Sequence, residues 1–417
     1  MVLGWDIGGA HVKVARVGMD GRIDAVRLVP CQLWRGLAPL RECLHDLKCA
    51  LLGALDDERT SGRAAGPNTK PDRWYGEEPA KKPDIEPDRR PSGGSSAGPS
   101  AATQAESVVQ HAVTMSGELV DLFGSRTDGV VAILNCLCEV MEIDSAWVFS
   151  QDGELQPVTL PVADAAATAE PYKKYASANW RAALEWLGQT GETLQFADLG
   201  STTLDVGVVE KGALRALASD DLGRLAQGEL VYVGAIRTPM VYFLRELEIG
   251  GLVRPLIPEY FADIGDALLV TGDLLPEQVT QPALDGRARD REEALVRLAR
   301  GIGCDRADHP DVWFESLAIA LRDALLAQVA RSLARQRLRC GLQAHVPVVV
   351  AGVGCGIVRA AAEARGWPVR ALADDLEQAC TTPALGVAAT ECAPAATLAL
   401  LLARRFASAG GIATEST

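Results

Sequence analysis

The sequence predicts an α/β chain of two related lobes, and three glycine-bearing segments carry that prediction. In residues 3–14 an apolar run ends at Asp6. Ile7, Gly8, Gly9 and Ala10 follow, and then a second β-rich run. In residues 196–209 the same plan recurs, with Asp198 followed by Leu199, Gly200, Ser201, Thr202 and Thr203. Each reads as a β-hairpin whose first strand ends in a carboxylate and whose turn exposes backbone N–H groups. Glycine permits close approach of the backbone to a bound group, and successive N–H groups form an anion-binding nest. The third segment, residues 346–356, is an apolar β-run opening into Gly352, Gly354 and Gly356, with a helix-like stretch over 357–365. Strand, glycine loop and helix N-terminus together commonly hold a phosphate; alone they also describe a tight strand-to-helix turn. Two hairpins opening two halves of the chain suggest lobes that face each other across a phosphate.

The remaining elements follow in order. Residues 37–52 have the pattern of an amphipathic helix. Residues 56–107 are rich in Pro, Gly, Ser, Ala and both charges and lack apolar periodicity, so a disordered surface insertion is expected there. A short strand is expected over 112–115, a helix beginning near Ser116, a buried helix over 129–141 and a strand over 145–149. Leu295, Leu298, Ala299 and Ile302 share one helical face, as do Leu321, Leu325, Val329 and Leu333. A closing helix is expected over 384–403. This alternation suits an α/β chain with an N-terminal lobe over 1–190 and a C-terminal lobe over 191–417.

Composition excludes several classes. A length of 417 residues accommodates two domains, and 48% hydrophobic content supplies their cores. A net charge of −14 argues against a nucleic-acid surface. No uninterrupted apolar run reaches membrane-spanning length. A strand begins at once, so no signal peptide is expected. Ten scattered cysteines fit reduced thiols in a cytoplasmic protein, and none shows the spacing of a metal site.

The two hairpins and the late glycine loop resemble the two phosphate motifs and the adenosine motif of the actin-like ATPase superfamily. That resemblance implies two ribonuclease-H-like lobes with nucleotide and metal in the cleft. Two further blocks narrow it. One runs from His111 through Thr114, Met115, Ser116, Gly117 and Glu118 to Asp121, with Arg126 and Gly129 after it. The other runs from Asp221 through Arg224, Gly228, Glu229 and Tyr232 to Gly234, with Arg237 and Thr238 after it. With the hairpins, these blocks resemble a hydantoinase/oxoprolinase-like family linked to tetrahydromethanopterin-dependent one-carbon metabolism. Position 11 departs from its archaeal members, with His where Asn is expected. The resemblance implies a transferase that makes a methanofuran- or methylofuran-type carrier. It would join an aminomethyl-furan-methyl diphosphate to the phenol oxygen of tyramine, tyrosine or a glutamyl derivative and release diphosphate.

That chemistry assigns candidate roles. Gly8, Gly9, Ser201, Thr202, Thr203 and Gly354 would cradle phosphate, and Asp6 and Asp198 would position Mg²⁺. Lys13 either reaches a phosphate oxygen or lies on a solvated strand face. Arg224 and Arg237 are bidentate phosphate donors or surface ion-pair partners. Glu118 and Glu229, with Asp198, form the candidate catalytic set. A phenol has a pKa near ~10, so a carboxylate base needs help from burial or from the timing of bond formation. The alternative for both glutamates is stabilisation of a helix N-terminus. His11, Thr114 and Tyr232 are candidate substrate contacts. Two other functions share the motifs: an ATP-dependent kinase or amidohydrolase with ATP in the cleft, Asp198 or Asp205 activating a hydroxyl or water, and a nucleotide-sensing scaffold. The partners expected of the leading reading are small molecules, with neither nucleic acid nor membrane.

Overall fold

The computed structural model describes residues 1–53, 109–162 and 172–412. The insertion expected over 56–107 lies outside the described residues. Strands β1 (Val2–Ile7), β2 (His11–Val17) and β3 (Ile23–Pro30) form an antiparallel meander, followed by helix α1 (Leu37–Lys48). Strand β4 (Gln110–Met115) then runs parallel to β1. After helix α2 (Arg126–Met141), β5 (Ser145–Phe149) runs parallel to β4, and β6 (Leu155–Thr159) pairs antiparallel to β5. The sheet order is β3-β2-β1-β4-β5-β6.

Helix α3 (Asn179–Gly188) leads to a second sheet. Strands β7 (Leu194–Leu199) and β8 (Leu204–Glu210) form its hairpin, to which the two-residue β9 (Ala213–Leu214) adds. Helix α4 (Asp221–Gln227) and β10 (Leu230–Val231) follow. An excursion comprises α5 (Met240–Phe243), a ribbon of β11 (Glu246–Ile249) and β12 (Leu252–Pro255), α6 (Ile264–Thr271), α7 (Arg291–Gly301) and the long α8 (Asp311–Arg339). The chain returns through β13 (Val348–Ala351), α9 (Cys355–Glu363), β14 (Val369–Ala371) and α10 (Leu372–Leu376). Helices α11 (Pro383–Glu391) and α12 (Ala393–Ile412) end it.

The second sheet runs β10-β8-β7-β13-β14. Position for position this repeats β3-β2-β1-β4-β5. In each, two antiparallel strands lead outward from one side of the first strand, and two parallel strands lie on its other side. That order, found twice, is the two-lobed ribonuclease-H-like architecture of the actin-like ATPase fold. Strand β1 is central and buried at all six positions, as a strand covered on both faces must be.

The described chain departs from the sequence expectations in three places. The lobe boundary expected at 190/191 does not hold for the C-terminus, because α12 packs back on the first sheet. A Cβ on Gly4 would stand 2.2 Å from the carbonyl oxygen of Ala395, so α12 rests directly on β1. One apolar cluster accordingly unites Val2, Ala15 and Phe149 of the first sheet with Phe196, Val209 and Val349 of the second, beneath Leu398 and Ala399 of α12. The single closing helix expected over 384–403 is two, α11 and α12, bent by 114°. Pro394 has no N–H for the Thr390 carbonyl, which instead accepts from Gly352 N at 3.2 Å. The helix expected from Ser116 is one 3₁₀ turn, Gly117–Leu119. The α-helix waits for the Ser125 cap, whose hydroxyl accepts from Asp128 N at 3.1 Å. Among the described residues no single helix is long and apolar enough to cross a membrane.

Candidate active site

The two hairpin turns are built alike. Gly8 N donates to the His11 carbonyl at 2.9 Å, and Gly200 N donates to the Thr203 carbonyl at 2.9 Å. Neighbouring loops then take up the turn carbonyls. Leu33 N reaches Gly9 O at 3.1 Å and Cys31 N reaches Ala10 O at 2.8 Å. In the second lobe Ala235 N reaches Gly200 O at 2.9 Å and Arg237 N reaches Ser201 O at 2.8 Å. In a trans peptide unit the N–H points opposite to the C=O. The amides of Ala10, Ser201 and Thr202 therefore point away from these supporting loops. Together with Gly9 N, they have no acceptor among the described residues. Gly234 fits against the second turn because it lacks a Cβ, which would lie 2.3 Å from Thr202 N.

Charged groups converge beside the turns. Asp6, 2% exposed, is paired across the hairpin with Lys13, whose Nζ lies 3.1 Å from Asp6 Oδ2. Asp198 is half-buried, and its pKa is pushed up to about 7. Burial is the chief cause, eased by Lys13 and reinforced by the charges of Asp205 and Asp6. Burial disfavours the Lys13 charge, but Asp6 and Asp198 more than compensate and raise its pKa above the usual lysine value. Lys13 thus stands between carboxylates of the two lobes, not on a solvated strand face.

Asp6 Oδ1 is buried without a partner, as is the hydroxyl of Thr114, which lies beside Asp6 in the β1–β4 register. A carboxylate oxygen without a donor, with Asp198 nearby, fits a cation. The described residues offer no cluster of three His, Cys, Asp or Glu ligands. Two carboxylates are compatible with a hard cation such as Mg²⁺, which keeps waters and takes oxygens from substrate.

The late glycine loop serves this centre differently from the expectation. Gly352, at φ +82°, packs so tightly on Asp198 that a Cβ would stand 2.3 Å from Oδ1. Gly354 donates its N–H to Leu199 O at 2.8 Å, and a Cβ there would strike Leu199 and Ala235. Its amide is consumed in packing, which removes it from the phosphate-binding set.

Two more candidates prove to be anchors. Arg224, 1% exposed, bonds Asp205 Oδ1 at 2.9 Å and Glu229 O at 3.1 Å, with its guanidinium 3.9 Å over the Trp180 ring. It is committed to Asp205 and closed to phosphate. The Glu229 carboxylate accepts from Leu217 N at 2.8 Å and Ala218 N at 3.3 Å, tying down a loop, so neither oxygen is open to a substrate.

Glu118 lies in a different setting. Gly129 of α2 packs against its backbone, where a Cβ would stand 2.7 Å from Glu118 Cα. Ser177 Oγ lies 2.7 Å from Glu118 Oε1 and 3.1 Å from Asp221 Oδ2, and Arg126 Nη1 lies 3.0 Å from that same Asp221 oxygen. One hydroxyl hydrogen cannot serve two carboxylates. Burial raises the Glu118 pKa, opposed chiefly by the hydrogen bond from Ser177. Ser177 holds this position at φ +47°, a conformation costly for a residue with a Cβ. Tyr232 is half-exposed, with its phenol near enough to Asp221 and Arg126 to feel both charges.

Buried beside the first turn, His11 Nε2 lies 2.7 Å from Thr280 Oγ1. Its pKa is lowered to about 3 by burial, Lys13 and Arg237, so the imidazole is neutral. Arg237 is exposed, and among the described residues no carboxylate lies within 4.0 Å of it. Its guanidinium instead sits 5.5 Å from the Trp34 ring of the other lobe. Trp34, Ser177, Asp221 and Thr280 escaped the sequence-based candidate set. Asp220 and Asp221 do spell a helix start, but nothing in the sequence places Ser177 beside Glu118 or Trp34 beside Arg237.

Comparison with known proteins follows the same lines. The hydantoinase/oxoprolinase family model matches residues 146–393. A (4-{4-[2-(gamma-L-glutamylamino)ethyl]phenoxymethyl}furan-2-yl)methanamine synthase of Methanocaldococcus jannaschii is 27% identical over 256 residues, covering 60% of this chain and 72% of the relative. A synthase of the same name from Methanococcus vannielii is 27% identical over 162 residues, covering 39% of this chain and 71% of that protein. Among solved structures, nucleotide-free acetone carboxylase aligns with a TM-score of 0.47 at 12% identity, covering 94% of this chain and 70% of that one.

Proposed function

The chain belongs to the hydantoinase/oxoprolinase family, and on that premise we propose that it is a transferase of methanofuran- or methylofuran-type carrier biosynthesis. The substrates would be an aminomethyl-furan-methyl diphosphate and the phenol of tyramine, tyrosine or a glutamyl derivative. The product named for the two curated relatives contains a phenoxymethyl-furan ether, the bond such a reaction makes. The observation that carries the proposal is the pair of glycine turns, whose unpartnered amides flank Asp6, Lys13 and Asp198.

In this reading the diphosphate lies between the turns and is held by the amides of Gly9, Ala10, Ser201 and Thr202, by Lys13 and by Arg237. Asp6 and Asp198 would hold Mg²⁺, whose chemistry is to neutralise the leaving diphosphate. The bond from the furan-methyl carbon to the diphosphate oxygen breaks, and the electron pair leaves with diphosphate. The phenol oxygen bonds to that carbon. Glu118 would take the phenol proton on Oε2, the oxygen without a partner among the described residues, while Ser177 Oγ holds Oε1. Placement of the two reactants and dipoles aimed at the leaving group supply most of the rate.

The test is incubation of the protein with Mg²⁺, a furan-methyl diphosphate and tyramine or γ-glutamyl-tyramine, followed by mass spectrometry for the ether and an assay for released diphosphate. The expected result is both products in equal amounts. Absence of ether, with ADP formed from ATP in a parallel incubation, overturns the proposal in favour of a kinase or amidohydrolase.

A further inference from the structure

We propose that the Trp34 indole is the platform on which the aromatic ring of the diphosphate substrate stacks, and that Arg237 leaves it to bind the diphosphate. The inference rests on the diphosphate reading of the cleft. Trp34 lies in the single 3₁₀ turn Leu33–Arg35, whose first residue props the first glycine turn through Leu33 N and Gly9 O at 3.1 Å. Arg237 props the second turn through its own N–H and Ser201 O at 2.8 Å. The contact between their side chains, 5.5 Å from guanidinium carbon to ring centroid, therefore bridges the supports of the two phosphate nests.

Neither side chain has a structural duty that explains its position. Trp34 is 43% exposed, an unusual state for the largest apolar side chain, and it belongs to no core cluster. Arg237 is exposed in a chain of net charge −14, yet its side chain has no carboxylate within 4.0 Å among the described residues. An exposed cation–π contact is weak and easily exchanged. The Arg237 side chain reaches round to the charge environment of His11, the residue that follows the first nest, so a substrate with diphosphate in the nests would carry its ring, one methylene away, toward this pair. The ring can then take the place of the guanidinium over the indole, stacking face to offset face. The guanidinium, displaced, meets an oxyanion that it can bind with two parallel hydrogen bonds. One exchange would recognise both halves of the substrate.

The experiment is titration calorimetry on the full chain with Mg²⁺, using inorganic pyrophosphate and benzyl diphosphate as probes. The quantity read is the ratio of the two dissociation constants within each variant, so general damage to the cleft cancels. Wild type should prefer benzyl diphosphate. Trp34→Ala should bind pyrophosphate as wild type does and lose about tenfold in affinity for benzyl diphosphate, while Trp34→Phe should keep most of the preference. Arg237→Ala should weaken both probes. A Trp34→Ala variant whose ratio equals that of wild type overturns the inference. Wild-type protein that binds neither probe removes the diphosphate reading of the cleft, and the inference falls with it.

Discussion

Asp6 and Asp198 end equivalent strands of the two sheets, yet they face residues of opposite charge. Across the first hairpin stands Lys13, 3.1 Å from Asp6. Across the second, in the same register position, stands Asp205, which faces Asp198 and is bound from behind by Arg224 at 2.9 Å. The first lobe thus neutralises its carboxylate within the hairpin. The second doubles its negative charge and spends its arginine one layer further back. The backbone repeat supplies two amide nests of the same geometry, and one cross-strand side chain decides what each nest sits beside. The first lobe offers a cation, and the second offers two facing carboxylates.

The comparison breaks most directly if the two carboxylates prove interchangeable. Asp198→Asn should lower turnover at least ~100-fold and weaken the Mg²⁺ requirement, because the second lobe loses the charge that would hold the ion. The far-ultraviolet circular dichroism should be unchanged. Full activity in EDTA, or wild-type turnover by the variant, would leave the fold assignment standing and end the metal–diphosphate mechanism.

Lys13→Met tests the other side. It strands Asp6 in the interior, and removing one member of a buried pair costs about 3 kcal/mol, toward the low end of the known range because Lys13 keeps some solvent contact. Urea denaturation would measure that loss. Adding Asp6→Asn should restore most of it, since the stranded charge is then gone. A single variant as stable as wild type would show that the pair is not what neutralises the first hairpin.

Asp198 also gives the two lobes different responses to pH. Its folded pKa is raised from the ordinary carboxylate range to about 7. Such a group costs nothing below pH 4, where it is protonated in both states. The cost grows as the pH climbs toward 7 and is complete above it. Asp198→Asn should therefore stabilise the ligand-free protein at pH 8, by about 1–3 kcal/mol after allowance for partial solvent access, and change little at pH 4. Equal effects at both pH values would contradict the raised pKa.

The smallest contrast lies in the turns. A Cβ at Gly200 would meet nothing closer than Thr203 O at 3.6 Å, so Gly200→Ala should stay within ~0.5 kcal/mol of wild type. A Cβ at Gly9 would stand 2.8 Å from Val120 Cγ1, so Gly9→Ala should cost about 1 kcal/mol. Thermal melts of the two variants side by side would test the difference.

The hairpins were legible because Asp, Gly and the flanking β-runs are local, and local backbone chemistry sets a turn. The strand over 145–149 and the helical faces around Leu298 and Leu325 were legible for the same reason. Partnership was not. Arg224 and Glu229 carry the residue types of a phosphate site, but Asp205 and the amides of Leu217 and Ala218 claim them first, and those contacts depend on how α4 settles against β8. The Glu118–Ser177–Asp221 chain joins residues from three separate segments, and no periodicity foretells it. Gly354 shows the limit of a motif. Its place in a glycine loop was visible, but the close approach of Leu199 that demands glycine there was not.

The resting place of α12 has a consequence for the order in which the molecule can be made. Strand β1 is synthesised long before Ala395 and Ala399, whose surface covers Gly4. Contacts so distant in sequence form slowly, because the intervening chain must be gathered before they repay its entropy. Until α12 has been synthesised, the face of the first sheet that it covers is bare, with Val2, Ala15 and Phe149 open to water or to chaperones. The first sheet is thus begun well before it can be finished, and a nascent chain stopped before residue 393 should be caught by proteases in that sheet.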